Sequence, residues 1–315
     1  MNEAAPRTAA VIIPTYNRVD MVGDAIESCR CQTVRPEIVV VDDGSTDDTV
    51  EYIRAHFNRE VTFVARENTE RGAARNAGAA MTDAELLVFL DADDRLRPRH
   101  IETLLSLSRT HPDASLWATG GVEVDRGFQP IGRLGRTEPG PITLEDFLGG
   151  EQAVLLPFGV RASMFRELGG FVEARELMGS EDWILTARLL ARAEGIRSDR
   201  VTIEKRTHDD NTMSASGGME RSMRASRAHL FDRYREELTG SGTRVDALRD
   251  RAQYAMWRNL AATHYGAGAM RDARRAARAA ADGSVLRVLS DPDLRRSWVR
   301  SWLGAPLTRW LRSFR

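Results

Sequence analysis

The chain has 315 residues, of which 42% are hydrophobic and 29% charged, and its formal net charge is -1. This length is enough for one large or two modest domains, and the composition excludes a disordered chain. The balanced charge gives no reason to expect nucleic-acid binding. With only Cys29 and Cys31, a disulfide framework is excluded and a reducing, cytoplasmic setting is favoured. No apolar run approaches the ~20 residues of a membrane span, and the N-terminus lacks the apolar core of a signal peptide, so we expect neither.

The first hundred residues alternate strand and helix patterns. Short apolar strands are predicted at 11–13, 37–41, 61–65 and 85–90, with helices at 20–31, 47–56 and 71–81. Continuous apolar strands separated by helices are typical of a parallel sheet that is covered on both faces. Ligands of such sheets bind beyond the carboxyl ends of the strands, and here polar clusters follow Ile13, Val41 and Leu90.

The rest of the chain is less regular and then becomes helical. Strands are predicted at 115–124 and 201–204, and helices at 143–148, 163–168 and 180–193. The stretch 127–141 is rich in Gly and Pro and predicts an exposed loop. After a boundary near 217–218 the chain is rich in Arg and Ala, and helices are predicted near 219–238, 243–266, 269–281 and 292–303.

Residues 91–94 (DADD) end the fourth predicted strand. Side chains two apart along a strand share a face, so Asp91 and Asp93 are expected to converge. Adjacent carboxylates repel each other, and a hard divalent cation such as Mg²⁺ or Mn²⁺ relieves that repulsion. A solvated acidic turn is the alternative interpretation.

Three further polar clusters each have a functional and a structural interpretation. Asp43 can accept a hydrogen bond from a base or ribose, or it can belong to an Asp-Gly turn. Arg75 lies one turn into a helix of small residues, where it can bind phosphate or face solvent. Glu181 and Asp182 can supply a general base, or can complete the first helical turn after a Ser180 cap.

Taken together, these features resemble glycosyltransferase family 2 over about residues 8 to 215. Seven motifs carry the resemblance, in the order 11–18 (VIIPTYNR), 41–47 (VDDGSTD), 72–78 (GAARNAG), 89–94 (FLDADD), 168–171 (LGGF), 181–183 (EDW) and 206–214 (RTHDDNTMS). The resemblance implies an α/β GT-A fold, which is a Rossmann-like sheet with helices on both faces, followed here by an α-helical C-terminal region. The implied domains are 1–217, with a nucleotide-binding half at about 8–110 and an acceptor half at about 111–217, and 218–315.

The resemblance also implies a role for each site residue. The nucleotide-sugar-binding residues would be Pro14, Thr15, Tyr16, Arg18, Asp43, Arg75, Asp91 and Ala92, while Asp42 would fix the turn. Asp91 and Asp93 form the DXD motif and would hold Mn²⁺ or Mg²⁺ together with His208, and Asp94 is a substitute ligand. Asp182 matches the catalytic base of the family, and Glu181 is its neighbour and fallback.

The implied reaction is metal-dependent, inverting transfer of a sugar from a nucleotide-diphosphate sugar to a hydroxyl acceptor. Uridine diphosphate donors are the commonest in the family, and a growing glycan or a lipid-linked saccharide would be the acceptor. Two alternatives are a nucleotidyltransferase and a non-catalytic nucleotide-sugar-binding scaffold. The segment 181–183 speaks against the first, and the intact set of Asp91, Asp93 and Asp182 speaks against the second.

The segment 284–315 carries seven arginines against two aspartates, a net charge of 7 − 2 = +5, and three of the six tryptophans. One interpretation is a basic amphipathic segment that contacts an anionic membrane, which would place a cytoplasmic protein peripherally at the inner face. The other is that the apolar stripe packs on the catalytic domain or on a second copy in a homo-oligomer.

Overall fold

The computed structural model describes residues 8–134, 138–154, 156–208, 217–239, 244–282 and 285–302. The strands are β1 (Ala9–Thr15), β2 (Glu37–Asp42), β3 (Thr62–Ala65), β4 (Leu86–Phe89), β5 (Arg95–Leu96), β6 (Trp117–Val124), β7 (Pro130–Arg133), β8 (Gly140–Ile142), β9 (Gly159–Arg161) and β10 (Gly195–Arg206). Within the described ranges these strands form one sheet in the order β3-β2-β1-β4-β9-β6-β10-β5, with β7 paired to β6 and β8 to β10.

Helices cover both faces of this sheet. They are α1 (Val22–Arg30), α2 (Thr49–Phe57), α3 (Arg71–Ala79), α4 (His100–Thr110), α5 (Leu144–Gly149), α6 (Ala162–Glu167), α7 (Glu181–Leu190), α8 (Gly217–Arg233), α9 (Arg235–Thr239), α10 (Val245–Gly266), α11 (Met270–Ala280), α12 (Val285–Ser290) and α13 (Pro292–Trp302), with a 3₁₀ turn at Arg175–Leu177. The α/β class with a helical C-terminal region, which the sequence predicted, is confirmed.

The central strands divide their side chains between two hydrophobic clusters. In β1, Ala10 and Ile12 belong to one cluster, whereas Val11 and Ile13 belong to the other. Successive side chains of a strand point to opposite faces, so each cluster occupies its own side of the sheet. Burial on both faces explains why these strands have continuous apolar sequences.

The parallel sheet predicted from the first four strands is confirmed, and the rest of the sheet is mixed. Strands β3, β2, β1 and β4 are parallel neighbours, but β9 then pairs antiparallel with both β4 and β6. The predicted exposed loop at 127–141 was wrong in part, because it contains β7 and the start of β8. These short strands form through pairing with β6 and β10, which a local sequence pattern does not reveal.

The helical region that follows Gly217 packs on the sheet region. Leu230, Phe231 and Leu248 share one cluster with residues of α5 and α7, and α10 contacts α5. A third cluster lies within the C-terminal helices and joins α10, α11 and α13 through residues such as Leu260 and Leu294.

The apolar side of α13 faces this third cluster. Leu294 is fully buried there, and Trp298 packs against it. For α13, these contacts favour the interpretation that the stripe packs on the protein. The prediction for 303–315, which includes Trp310 and Phe314, lies outside the described residues. No helix within the described ranges combines the length and the hydropathy that a bilayer crossing requires.

Helix α3 lies unusually close to β1 and β2 because Gly78 faces them. A Cβ atom on Gly78 would lie 2.4 Å from Ile12 Cγ2 and 3.0 Å from Val41 Cγ2. Glycine in a helix normally costs about 0.5–1 kcal/mol relative to alanine, so close packing is the reason that it is favourable here. This approach brings the polar residues of α3 to the carboxyl ends of the strands.

We therefore expect Gly78→Ala to destabilise the protein by about 1–3 kcal/mol, because the added methyl group overpacks the core. Urea unfolding followed by circular dichroism measures this change. Gly266→Ala is the matched control, since Gly266 ends α10 and a Cβ there meets nothing within 4 Å. An unchanged or higher stability of Gly78→Ala would contradict the close packing of α3.

Candidate active site

The carboxyl ends of β1, β2 and β4 meet at one edge of the sheet. Thr15, the last residue of β1, is in register with Asp42, the last residue of β2. Asp43 follows directly, and residues 91–94 follow β4 on the other side of β1. The parallel arrangement therefore brings the sequence-predicted acidic clusters to a common cleft, as expected for this class of sheet.

Asp42 and Asp43 have different surroundings although they are adjacent. Asp42 Oδ1 accepts hydrogen bonds from the backbone N–H groups of Gly44 at 3.2 Å and Ser45 at 3.0 Å, so it fixes the turn. Asp43 Oδ1 accepts from the backbone and the hydroxyl of Thr69 at 3.1 and 3.2 Å, and Arg66 Nε lies 3.8 Å away. Asp43 thus links the end of β2 to the loop after β3.

The loop after β3 borders a cavity that sequence reasoning missed. The cavity has a volume of about 390 Å³ and is lined by Arg66, Asn68, Thr69, Glu70, Ala73, Glu173 and Arg175. Its position could have been inferred from the rule that loops at the carboxyl ends of parallel strands bind ligands. This loop gives the Asp43 side of the cleft polar donors and acceptors.

Residues 14–18, at the end of β1 and just after it, lie next to the end of β2 and the residues that follow it. The backbone oxygen of Thr15 accepts from Asp43 N at 2.9 Å, and the side chain of Tyr16 is exposed. Pro14 is half-buried within β1, and Arg18 donates its backbone N–H to Thr49 Oγ1 at 3.0 Å. Of these four predicted residues, Thr15 contacts Asp43 directly, and Arg18 contacts the start of α2.

Arg75 is the central side chain of the cleft and is only 1% exposed. Its Nη2 donates to Asp91 Oδ1 at 2.6 Å and its Nη1 donates to Glu181 Oε1 at 2.7 Å. The guanidinium also lies 5.1 Å from the ring centroid of Phe171. The resemblance implied that Arg75 faces the nucleotide, but in the structure its two terminal nitrogens bind protein carboxylates.

The charges around Arg75 hold each other in the ionised form. Burial alone would raise the pKa of Asp91, but the positive charges of Arg75 and Lys205 outweigh it and lower the pKa well below its usual range. Burial alone would lower the pKa of Arg75, yet Asp91 and Glu181 raise it. The buried pair is therefore charged on both sides.

The three aspartates after β4 converge, as the sequence predicted. One carboxylate oxygen from each of Asp91, Asp93 and Asp94 lies within 4.8 Å of the others. Ala92, which separates the first two, is buried. His208 Nε2 lies 3.0 Å from Asp93 Oδ2, so the residue predicted at the metal does reach this cluster from the end of β10.

Asp94 differs from its two neighbours because both of its oxygens are engaged. Lys205 Nζ donates to Oδ2 at 2.9 Å and Arg206 N donates to Oδ1 at 2.9 Å, and only 2% of the side chain is exposed. Asp91 and Asp93 are more exposed and face the cleft. Asp94 therefore supports the turn through these bonds, and its role as a substitute ligand stays a prediction.

The donor set fits a hard divalent cation. Asp91, Asp93 and Asp94 supply carboxylate oxygens that lie close together, and the imidazole Nε2 of His208 lies 3.0 Å from Asp93 Oδ2. Mg²⁺ and Mn²⁺ are bound in proteins by a few carboxylates while other positions remain for water or phosphate. Among the described residues, Asp91, Asp93 and Asp94 could hold the ion, and His208 lies beside Asp93.

Glu181 and Asp182 begin α7 and have distinct environments. Glu181 is 4% exposed, and its two oxygens accept from Arg75 Nη1 and from Gly179 N at 2.7 Å each. Glu181 is therefore occupied as an anchor, which leaves little scope for the fallback role. Asp182 is half-buried, and burial together with the charge of Glu181 raises its pKa to about 6.

The turn before Asp182 is held by the C-terminal helices. Ser222 Oγ in α8 donates to Met178 O at 2.9 Å and lies 3.1 Å from Ser180 Oγ. Trp183 stacks on Phe147 on one side, and Arg227 lies 4.4 Å from its ring centroid. The region outside the resemblance thus supports the start of α7.

Comparison with known proteins agrees with this fold. Residues 10–166 match the family model described as Glycosyl transferase family 2. S. aureus TarS 1-349, solved in complex with UDP-GlcNAc, has a TM-score of 0.65 and 14% sequence identity, over 94% of this chain and 89% of that chain. At this identity the similarity to TarS establishes the fold.

Proteins with similar sequences include a succinoglycan biosynthesis protein and a glycosyltransferase. The succinoglycan biosynthesis protein ExoU of Rhizobium meliloti (strain 1021) is 34% identical over 206 residues, which is 61% of this chain and 59% of ExoU. An uncharacterized glycosyltransferase of Haemophilus influenzae is 31% identical over 186 residues, or 56% of this chain and 60% of that protein. The matched segment thus spans about three-fifths of these relatives. The motifs, the fold and these similarities together show that the chain belongs to glycosyl transferase family 2.

Proposed function

We propose that the chain transfers a sugar from a nucleotide-diphosphate sugar to a hydroxyl group of a carbohydrate or lipid-linked acceptor, with inversion at the anomeric carbon. The observation that carries this proposal is the connection made by Arg75. One guanidinium binds both Asp91, beside the candidate metal ligands, and Glu181, beside the candidate base Asp182. Asp182 also interacts electrostatically with Arg75 and Asp91, which supports the assignment of a metal-binding group and a proton acceptor to the same cleft.

The nucleotide end of the donor is assigned to the Asp43 side of the cleft. The loop after β3 offers hydrogen-bonding groups at the cavity lined by Arg66 and Asn68, and Thr69 of this loop binds Asp43. Uridine is the base to test first, since it is the commonest in the family and TarS was solved with UDP-GlcNAc.

The diphosphate end is assigned to Asp91, Asp93 and His208, which would hold Mn²⁺ or Mg²⁺. A bound divalent ion would neutralise the negative charge that grows on the departing diphosphate. Arg75 keeps Asp91 ionised and oriented, so that a carboxylate is available at the metal position. Asp94 supports the turn from below through its bonds to Lys205 and Arg206.

Asp182 is assigned as the general base. It accepts the proton of the acceptor hydroxyl as that oxygen attacks the anomeric carbon, and the bond to the diphosphate breaks on the opposite face. A pKa of about 6 suits this role, because the group is mostly ionised at neutral pH and still basic enough to take a proton. Glu181 holds the start of α7 in place through Arg75 and Gly179.

The proposal is tested by incubating the protein with uridine, guanosine and thymidine diphosphate sugars, with Mn²⁺, Mg²⁺ or EDTA. We expect nucleoside diphosphate release from one donor class, which a suitable carbohydrate acceptor accelerates and EDTA suppresses. Nucleoside monophosphate release with pyrophosphate would instead indicate a nucleotidyltransferase. Binding of a donor without any turnover across the acceptor panel would indicate the scaffold alternative.

Two substitutions separate the proposed roles. Asp182→Asn should lower the transfer rate by about 10²–10⁴-fold, because the proton acceptor is lost, while UDP binding in the presence of Mn²⁺ is retained. Asp93→Ala should weaken Mn²⁺ and UDP binding as well as transfer. Calorimetric titration and initial rates measure both effects, with thermal unfolding as the check on folding. An equal loss of UDP binding in both variants would contradict this division of roles.

The pH dependence of transfer follows from the raised pKa of Asp182. Only the carboxylate accepts a proton, so kcat/KM should fall as the pH drops through about 6 and should level off above about 7. Initial rates between pH 5 and 9 measure the profile, and circular dichroism at each pH controls for unfolding. An acidic limb centred near the ordinary aspartate value of about 4 would show that Asp182 is not the titrating base.

A further inference from the structure

Lys205 is the sole lysine of the chain, and it lies at the aspartate cluster. It is the penultimate residue of β10, and its Nζ lies 2.9 Å from Asp94 Oδ2 and 3.7 Å from Asp91 Oδ2. The side chain is 39% exposed, whereas that of Asp94 is 2% exposed. The ammonium group therefore binds a buried carboxylate and also lies close to Asp91, which is more exposed.

The charges around the cluster show what Lys205 does to the cation site. Lys205 Nζ lies 2.9 Å from Asp94 Oδ2 and 3.7 Å from Asp91 Oδ2, so the lysine places its positive charge beside a carboxylate that faces the cleft as well as beside the buried one. A cation that binds at Asp91 and Asp93 would meet this charge in addition to that of Arg75. The Coulomb energy between two unit charges about 4 Å apart is several times larger near a protein surface than in bulk water. The positive charge of Lys205 therefore opposes cation binding at the neighbouring aspartates.

The choice of lysine rather than arginine is consistent with a role that changes on ligand binding. Arg75 is clamped by two carboxylates and is almost fully buried, so it is fixed. Lysine has a compact ammonium group on a flexible stem, with three donors that can change partners. Lys205 can therefore turn from Asp91 toward a second anion that enters the cleft.

We propose that Lys205 binds the diphosphate of the donor, and that in the empty site it lowers the affinity of Asp91 and Asp93 for a divalent ion. This inference rests on the proposed function. A diphosphate held at Asp91 and Asp93 brings at least two negative charges next to Lys205 Nζ. Metal and nucleotide diphosphate then bind cooperatively. The diphosphate offsets the positive charge of Lys205 that opposes the metal, and the metal offsets the negative charge of Asp91 and Asp93 that opposes the diphosphate.

Two titrations of the full chain test this proposal. The first measures Mn²⁺ alone, by the loss of the free Mn²⁺ electron paramagnetic resonance signal, and the second measures UDP by calorimetry at saturating Mn²⁺. We expect Lys205→Met to bind Mn²⁺ alone about tenfold more tightly and UDP about tenfold more weakly than the wild type. Lys205→Arg keeps the charge and should stay within about threefold of the wild type for Mn²⁺.

Arg97→Met is the matched control. Arg97 is as exposed as Lys205, but its Nε binds Glu204 Oε1 at 3.0 Å and it makes no recorded contact with the aspartates among the described residues. We expect its Mn²⁺ and UDP affinities to match those of the wild type.

The opposite directions of the two effects make the test decisive. Weaker binding of both Mn²⁺ and UDP by Lys205→Met would show that Lys205 only supports the turn, and unchanged affinities would show that it does neither. Both results overturn the inference while leaving the proposed function intact. A wild-type chain that binds neither Mn²⁺ nor UDP would overturn the proposed function and this inference with it.

Discussion

The candidate site depends on a single buried ion-pair network centred on Arg75. Its guanidinium contributes one terminal nitrogen to Asp91 and the other to Glu181. Two charges in a protein interior must each be paired and hydrogen-bonded, and removal of one partner from such a pair typically costs about 3–5 kcal/mol. Because Arg75 binds both carboxylates, it connects the turn at 91–94 to the start of α7.

The close packing of α3 places Arg75 where it can form this network. Gly78 lets the helix approach β1 and β2, and a Cβ on Gly72 would lie 2.5 Å from the backbone oxygen of Val172. Small residues on two sides of α3 thus bring Arg75 between the end of β4 and the start of α7. Asn76 reinforces the second contact, since it donates to Phe171 O at 2.9 Å and accepts from Phe171 N at 2.9 Å. The motif 72–78 therefore has a packing role as well as an electrostatic one.

The parts of the fold that could be predicted are those in which local pattern and tertiary environment agree. Strands β1, β2 and β4 are buried on both faces, and their continuous apolar sequences indicated them to within two residues at each end. Strands β5 and β9 have two and three residues and form through pairing across the sheet. No periodic pattern in the sequence therefore predicts them. Helix α4 was missed although Ile101, Leu104 and Leu105 recur at helical spacing.

For the site, the sequence indicated which acidic residues take part, but it did not indicate which residues they pair with. The acidic residues after β2 and β4 and at the start of α7 were identified from their positions and from the family resemblance. Their partners were not, because Arg75 meets Glu181 across 106 positions and Lys205 meets Asp94 across 111. Spacing along the chain contains no information on such pairings. Only the three-dimensional structure therefore shows that Glu181 binds Arg75 and that Lys205 lies at the aspartate cluster.

The most direct measurement of the central claim is a crystal structure of the chain with Mn²⁺ and UDP, using anomalous scattering to locate the ion. We expect the Mn²⁺ peak at Asp91, Asp93 and His208, with Arg75 still joining Asp91 to Glu181 and Asp182 facing the unoccupied side of the cleft. A peak bound by other residues, or a complex in which Arg75 has left Glu181 and Asp182 points away from the diphosphate, would contradict it.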